Sequence, residues 1–309
     1  MLVTALIWAG NNVLVKSVLD EISPLAYVFG RFVLAVVILF AVLALQRADL
    51  RVRRADLPYL LLSGIAGFAI YNALFTVGLN HTSAFAVAVL IATGPIFTLV
   101  FAALLGIEPM GRVQGLGIAV ACAGVVVFVW DKLAGNAPVT GDILSLVAAA
   151  SWAVYSLATR PLVRRYPPPV VTAWSSLIGL VAVAPFAVPA VATEHWRGVH
   201  VDGWAALLYS SVLSMLVGYT IWAWAIERRG VGRTVPFMYL VPIATGVFAA
   251  IFLGESLTWR KLAGAGLVLG GIAVVRAGTK RVSQSDALVA SSVADVDDSA
   301  ATVVQSRVP

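Results

Sequence analysis

The stretch PIFTLVFAALLGIE at Pro95–Glu108 recurs as PIATGVFAAIFLGE at Pro242–Glu255. Aligned at a shift of 147 residues (242 − 95), the two stretches share eight identical residues, including the proline at the start and the glutamate at the end. Two such copies indicate a structural unit of about 140 residues that occurs twice in the chain.

The earlier part of each copy matches at a shift of 144 residues (152 − 8). This shift pairs Trp8 with Trp152 and Pro24 with Pro168. We therefore predict three units and a tail. They are a first repeat over 1–131, an external linker over 132–141, a second repeat over 142–277 and a disordered cytoplasmic tail over 278–309.

The composition places these units in a membrane. The chain is 61% hydrophobic and 12% charged, whereas soluble domains carry about 25% charged residues. Ser83–Gly106 is 24 residues without a charge, and about 20 helical residues cross a bilayer. Because backbone groups in lipid must be paired within their own segment, we predict an all-α polytopic membrane protein.

Ten apolar blocks are separated by short polar connections. We predict ten transmembrane helices at 2–18, 24–45, 58–79, 83–106, 113–130, 143–159, 169–191, 204–226, 234–254 and 261–276. Most lysines and arginines fall in alternate connections, which predicts that both termini are cytoplasmic. Each repeat holds five spans, an odd number, so the repeats should be inverted relative to one another, as in many secondary transporters.

The sequence lacks motifs for other function classes. It has no Walker loop, no Gly-x-Ser-x-Gly elbow and no paired Cys or His at metal spacing. We therefore predict no enzymatic activity, no cofactor and no metal. The net charge of +6 lies mostly in short connections, where it sets orientation, so we predict no nucleic-acid partner.

Two cations lie within the apolar blocks. Arg31 is seven residues past Pro24, so it either attracts an anionic solute into a cavity or extends to the lipid headgroups. Lys16 is nearer a helix end, where a boundary role is favoured.

Uncharged polar and aromatic residues supply the other candidates for a solute cavity. Amides within the membrane either bind solute or tie helices together, and rings line a cavity or form an interfacial belt. The predicted cavity residues are Trp8, Asn11, Asn12, Lys16, Arg31, Tyr71, Asn72, Trp152, Tyr155, Tyr219, Trp222 and Tyr239.

The repeated stretch itself supplies four further candidates. Pro95 and Pro242 interrupt the fourth and ninth helices at matching positions, as hinges or as packing kinks. Glu108 and Glu255 end the stretch on opposite faces, where we predict caps or gate contacts to Arg112 and Arg260. Gly264, Gly266, Gly270 and Gly271 predict close packing of the tenth helix, against the fifth helix or a second copy of the chain.

The opening ALIWAGNNVLVKSV, followed by SPLAYVFGRF, resembles the start of the EamA-type permeases of the drug/metabolite transporter superfamily. Their pattern falls here on Trp8, Asn11 or Asn12, Lys16, Pro24 and Arg31. The resemblance covers about residues 2–276. It implies ten helices in two inverted repeats around a central cavity, and export of amino acids or metabolites.

These observations predict a multi-pass permease of the cytoplasmic membrane. Its partners would be the lipid bilayer and a small solute, such as an amino acid or an amphipathic compound, moved outward by alternating access. Either a solute gradient or proton coupling would supply the energy, and the oligomeric state stays open. The alternative is a lipid-carrier translocase.

Overall fold

The computed structural model describes residues 1–107, 110–218 and 235–278, together with residues 221, 225 and 228. Ten apolar helices run through this part of the chain, and no strand occurs in it. They are α1 (Leu2–Val18), α2 (Pro24–Leu45), α3 (Arg54–His81), α4 (Ala84–Leu104), α5 (Arg112–Ala134), α6 (Thr140–Val163), α7 (Pro168–Thr193), α8 (Val201–Gly218), α9 (Phe237–Phe252) and α10 (Trp259–Gly278).

Eight of these helices have at least 18 residues and are apolar enough to cross a membrane, while α1 and α9 are shorter. The prediction of an all-α polytopic membrane protein is therefore confirmed. One boundary differs informatively. Helix α5 continues to Ala134, so Lys132, predicted to lie in the linker, is in its last turn and forms an ion pair with Asp142 at the start of α6. The connection between the two helices is thus shorter than predicted.

Helices α3 and α8 each contain a π-helical segment, Gly64–Ile70 in α3 and Tyr209–Gly218 in α8. At the 147-residue shift, Gly64 and Ile70 pair with Ser211 and Val217, so the two segments occupy matching positions in the repeats. A π-helical turn bonds each amide five residues back, widens the helix and occurs often at functional sites.

The two repeat prolines lie near the starts of helical segments. Helix α4 is broken after Ile91, and Pro95 is the second residue of the segment Gly94–Leu104. A 3-10 turn, Val235–Tyr239, leads into Leu240–Phe252, which contains Pro242. A proline near a helix start is tolerated because the amide there has no partner within the helix.

The two halves of the chain pack against each other throughout. Helix α1 lies against α8 and α9, α6 lies against α3 and α4, and α2 lies against α7. Helices α5 and α10 approach closely through small residues: a Cβ atom on Gly117 would lie 2.7 Å from the Gly271 carbonyl oxygen. Gly266 and Gly270 have no such neighbour, so only part of the predicted glycine face packs within the chain.

The connections form two faces. The terminal face carries the start of α1 and the end of α10, and the opposite face carries the turns that follow α1, α3, α5, α7 and α9. Contacts between neighbouring turns bear this out. On the terminal face Asp56, in the first turn of α3, binds Arg165 and Tyr166 after α6.

Candidate functional site

A buried polar network joins α1, α2 and α8. The Ser210 hydroxyl donates to Asn11 Oδ1 at 2.7 Å and lies 2.6 Å from the Tyr27 hydroxyl. The Tyr27 hydroxyl also reaches the Ala206 carbonyl at 2.9 Å. Buried polar groups are stable in such a place only when they are paired. The predicted cavity residue Asn11 therefore ties helices together.

Helix α1 is bonded to the second half at three further points. Asn12 Nδ2 donates to the Thr245 hydroxyl in α9 at 3.2 Å. Trp8 Nε1 donates to the Ser214 carbonyl, within the π-segment of α8, also at 3.2 Å. The Tyr209 hydroxyl donates to the Ile7 carbonyl at 3.0 Å. Trp8, Asn11 and Asn12 thus all lie where α1 crosses the second repeat.

Arg31 lies beside this network. Its backbone carbonyl accepts a hydrogen bond from Ser211, and only 5% of the residue is exposed. Its Nε has no hydrogen-bond partner, and no carboxylate in the described residues lies within ion-pair distance of it. Removing a charge from water without a partner costs several kcal/mol. The structure thus buries Arg31 with its Nε–H unpaired.

Aromatic rings join α3 to α6. Tyr71 lies 4.9 Å from Trp152, and Trp152 lies 4.8 Å from Tyr155, between ring centroids. Tyr71 also stacks on Phe75 at 6.0 Å. The structure therefore brings Tyr71, Trp152 and Tyr155 into one cluster.

The row of rings extends to α2. Tyr155 packs edge-on against Phe68 at 5.8 Å, and Phe68 lies 6.1 Å from Phe32. We call the six rings the aromatic ladder: Phe32, Phe68, Tyr155, Trp152, Tyr71 and Phe75. The ladder begins in α2 at Phe32, the residue after Arg31 in the sequence.

The π-segment of α3 is held in a way that resembles that of α8. Ser151 in α6 donates to the Ala66 carbonyl at 2.8 Å. Asn72 donates to the Gly67 carbonyl within the same helix at 3.1 Å, so this predicted cavity residue satisfies a backbone group of its own π-segment.

Lys16 and Glu255 lie together at the opposite face. Lys16 Nζ donates to the Leu79 carbonyl at 2.8 Å, which is the boundary position that the sequence favoured. Glu255 accepts from the backbone amide of Ala84 at 2.6 Å, so it caps α4. Arg260, predicted as its partner, pairs with Asp131 instead.

Four predicted residues are not among the contacts given above: one lies elsewhere in the fold, and three lie outside the described residues. Tyr239 packs near α10, with the Arg276 guanidinium 5.5 Å from its ring centre. Tyr219, Trp222 and Glu108 lie outside the described residues, as does the tail beyond Gly278. In the part of the chain that the structure describes, no group of His, Cys, Asp or Glu could hold a metal ion.

Sequence reasoning missed several residues that build the site. Ser210, Ser211 and Ser214 form a row of hydroxyls in an otherwise apolar block, a signal that was visible in the sequence. Tyr27 lies one helical turn before Arg31 and could have been found by the same spacing. The role of Asp142, buried against Lys132 and Thr82, depends on the fold and had no local signal.

Comparison with known proteins agrees with this architecture. The EamA-like transporter family matches the chain twice, over residues 1–130 and 139–277. A "probable terminal-alkyne amino-acid exporter" of Streptantibioticus cattleyicolor is 30% identical over 279 residues, which are 89% of this chain and 91% of the relative. A "probable amino-acid metabolite efflux pump" of Salmonella typhimurium is 28% identical over 88% of this chain and 91% of its own length.

A solved crystal structure shows the same fold. It matches with a TM-score of 0.59 at 19% identity, over 90% of this chain and 98% of its own. With both segments of the chain matched by one family, the conclusion is direct: this chain is a member of the EamA-like transporter family.

Proposed function

We propose that this transporter exports a small amphipathic solute of the amino-acid type, with Arg31 binding the solute carboxylate. The observation that carries the proposal is the buried guanidinium with an unpartnered Nε. An anionic group that reaches Arg31 gains a charge-assisted hydrogen bond and relieves the cost of an unpaired charge.

The aromatic ladder supports the second half of the proposal. It begins at Phe32, the residue after Arg31 in the sequence, and continues through Phe68 to Tyr155. A solute that binds Arg31 through its carboxylate would pack its apolar part along these rings. The printed names of the two relatives, an exporter and an efflux pump, agree with a solute of this class and with outward movement.

We infer that the two repeats are inverted and exchange access to this site between the two sides of the membrane. The distribution of lysine and arginine supports a cytoplasmic terminal face in the cell membrane. A solute gradient or proton coupling would drive export, and we assign no enzymatic activity to the chain.

Counterflow in proteoliposomes tests the proposal. The purified protein is reconstituted, the vesicles are loaded with one amino acid of a panel, and uptake of the labelled amino acid is followed. Arg31→Ala should reduce counterflow by more than about tenfold, because loss of one partner of a buried charge pair costs 2–5 kcal/mol or more. Arg260→Ala is the matched control, since Arg260 is 44% exposed and pairs with Asp131 at the opposite face.

The proposal fails if no amino acid in the panel is exchanged. If the counterflow rate of Arg31→Ala equals that of the parent protein, Arg31 does not bind the solute.

The second candidate function is a lipid-carrier translocase, and the observation that favours it is an apolar groove on the side of the helix bundle. The groove has a volume of about 630 Å³ and lies between α2, α8 and the end of α7. Its lining is entirely apolar in residue type: Phe29, Gly30, Val33, Leu34, Val37, Val191, Trp196, Trp204, Leu207 and Leu208. Scrambling of labelled lipid between leaflets, with no amino-acid counterflow, would favour this function.

A further inference from the structure

The turn between α3 and α4 is held at both of its ends. At the end of α3, Lys16 Nζ donates to the carbonyl oxygens of Leu79 and Asn80, at 2.8 and 3.4 Å. Carbonyl groups at a helix C-terminus lack partners within the helix and carry partial negative charge. An ammonium group is therefore well matched to this position.

The start of α4 has the complementary arrangement. The two carboxylate oxygens of Glu255 accept from the amides of Ala84 and Phe85, at 2.6 and 3.2 Å. Amides at a helix N-terminus carry partial positive charge, so a carboxylate stabilises them. Gly254, with a φ of 64°, makes the left-handed turn after α9 that brings Glu255 back to this position.

These two charges come from different halves of the chain. Lys16 belongs to α1 in the first repeat, and Glu255 follows α9 in the second. Helices α1 and α9 are also joined deeper in the membrane by the bond between Asn12 and Thr245. The α3–α4 turn is thus attached to the α1–α9 pair by one cation and one anion.

A third contact on the same turn is more deeply buried. The Thr82 hydroxyl donates to Asp142 Oδ1 at 2.8 Å, and Lys132 Nζ lies 2.5 Å from Asp142 Oδ2. Asp142 is 2% exposed, whereas Lys16 and Glu255 are only half-buried. Breaking a buried ion pair costs far more than breaking one that water can reach. The contacts of Lys16 and Glu255 are therefore the ones that can open.

We propose that Lys16 and Glu255 form the outer lock of the transporter. When both are bound, α1 and α9 are fastened to the α3–α4 turn and the pathway is shut at the opposite face. Their release, with Asp142 still holding Thr82, lets that face open. This inference rests on the proposed alternating access.

Accessibility from outside the cell tests the lock. Cys122, the only cysteine, is replaced by serine, and Thr76→Cys is introduced as a reporter. Thr76 is buried one helical turn before Asn80, and its hydroxyl has no partner. A membrane-impermeant maleimide is then added to intact cells. Glu255→Gln and Lys16→Met should each raise the labelling rate about tenfold, because each removes a charge-assisted hydrogen bond that holds the closed state.

Glu194→Gln is the matched control. The Glu194 carboxylate also caps a helix at the same face, accepting from the Ser23 amide at 2.9 Å and the Ser23 hydroxyl at 2.6 Å. However, it joins α7 to α2 and bonds neither α1 nor α9. Its substitution should leave the labelling rate unchanged.

The lock is overturned if both Lys16→Met and Glu255→Gln label at the parent rate, or if Glu194→Gln raises labelling equally. Should one of the two lock variants fail to fold, the other carries the test. Because labelling requires no solute, its result is separate from the counterflow result, which bears on the proposed function alone.

Discussion

The crossing of α1 and α2 with α8 and the crossing of α6 and α7 with α3 are built alike but differ in chemistry. In each, the first helix of one half donates to a carbonyl in a π-segment of the other half. Trp8 donates to Ser214, and Ser151 donates to Ala66. At the 147-residue shift Ala66 pairs with Leu213, the neighbour of Ser214, so the two bonds nearly coincide in the repeat.

The two crossings differ in the side chains that surround these hydrogen bonds. Arg31, in the first crossing, pairs at the 144-residue shift with Ser175 in the second. Ser175 bonds the Ser63 hydroxyl at 2.8 Å, in a network without a charge. The second crossing carries the rings of Tyr155 and Trp152 instead. One scaffold thus presents a cation on one side and aromatic rings on the other, which suits a solute with one charged and one apolar end.

The largest expected difference between the crossings concerns two glycines. A Cβ atom on Gly67 would strike the base of the Tyr155 side chain, which the backbone holds in place. A Cβ atom on Gly10 would lie 2.9 Å from the Tyr209 hydroxyl, the far end of a side chain that can shift. We expect Gly67→Ala to lower the free energy of unfolding by about 3 kcal/mol and Gly10→Ala by about 1 kcal/mol, from the cost of overpacking.

Unfolding of both variants in mixed micelles, followed by tryptophan fluorescence, measures the two costs. Equal costs would mean that the α3–α6 crossing is as adaptable as the α1–α8 crossing, and the rigid ring surface proposed for the solute would be lost.

Two serines at matching positions separate stability from transport. Ser63 and Ser210 pair at the 147-residue shift, and each bonds two partners within its own crossing. Alanine at either position should lower the free energy of unfolding by about 1–3 kcal/mol, since a buried partner is left unpaired. Only Ser210→Ala should also slow counterflow, because its network adjoins Arg31.

Counterflow rates, corrected for the amount of folded protein, distinguish the two variants. A loss of transport in Ser63→Ala as large as that in Ser210→Ala would show that the solute does not distinguish the crossings.

Features of the fold and the site that depend on residues close together in the sequence could be predicted, whereas contacts between distant helices could not. The spans of α1 and α2 were predicted to the residue, because predominantly apolar runs and Pro24 define them locally. The spacing of Tyr71 and Phe75, and of Trp152 and Tyr155, placed each pair on one helix face. That the two pairs meet depends on the contact between α3 and α6, which no local pattern records.

The polar residues show the limit most clearly. Asn11 and Arg31 are both polar residues in apolar blocks, and the sequence could not separate a helix tie from a free cation. The structure separates them through their partners: Asn11 Oδ1 accepts from the Ser210 hydroxyl, while the Arg31 Nε–H donates to no partner. Burial and pairing are properties of three or more helices together, so they appear only once the helices are packed.

The smallest expected effect concerns the two crossing bonds themselves. Trp8→Phe and Ser151→Ala each remove the donor to a π-segment carbonyl, and each should lower the free energy of unfolding by about 1 kcal/mol, the net value of one hydrogen bond. The same micelle unfolding assay measures both. If the two bonds are equivalent parts of a repeated scaffold, the costs should agree within error. A cost in only one variant would show that only one π-segment depends on the other half of the chain for its carbonyl partner.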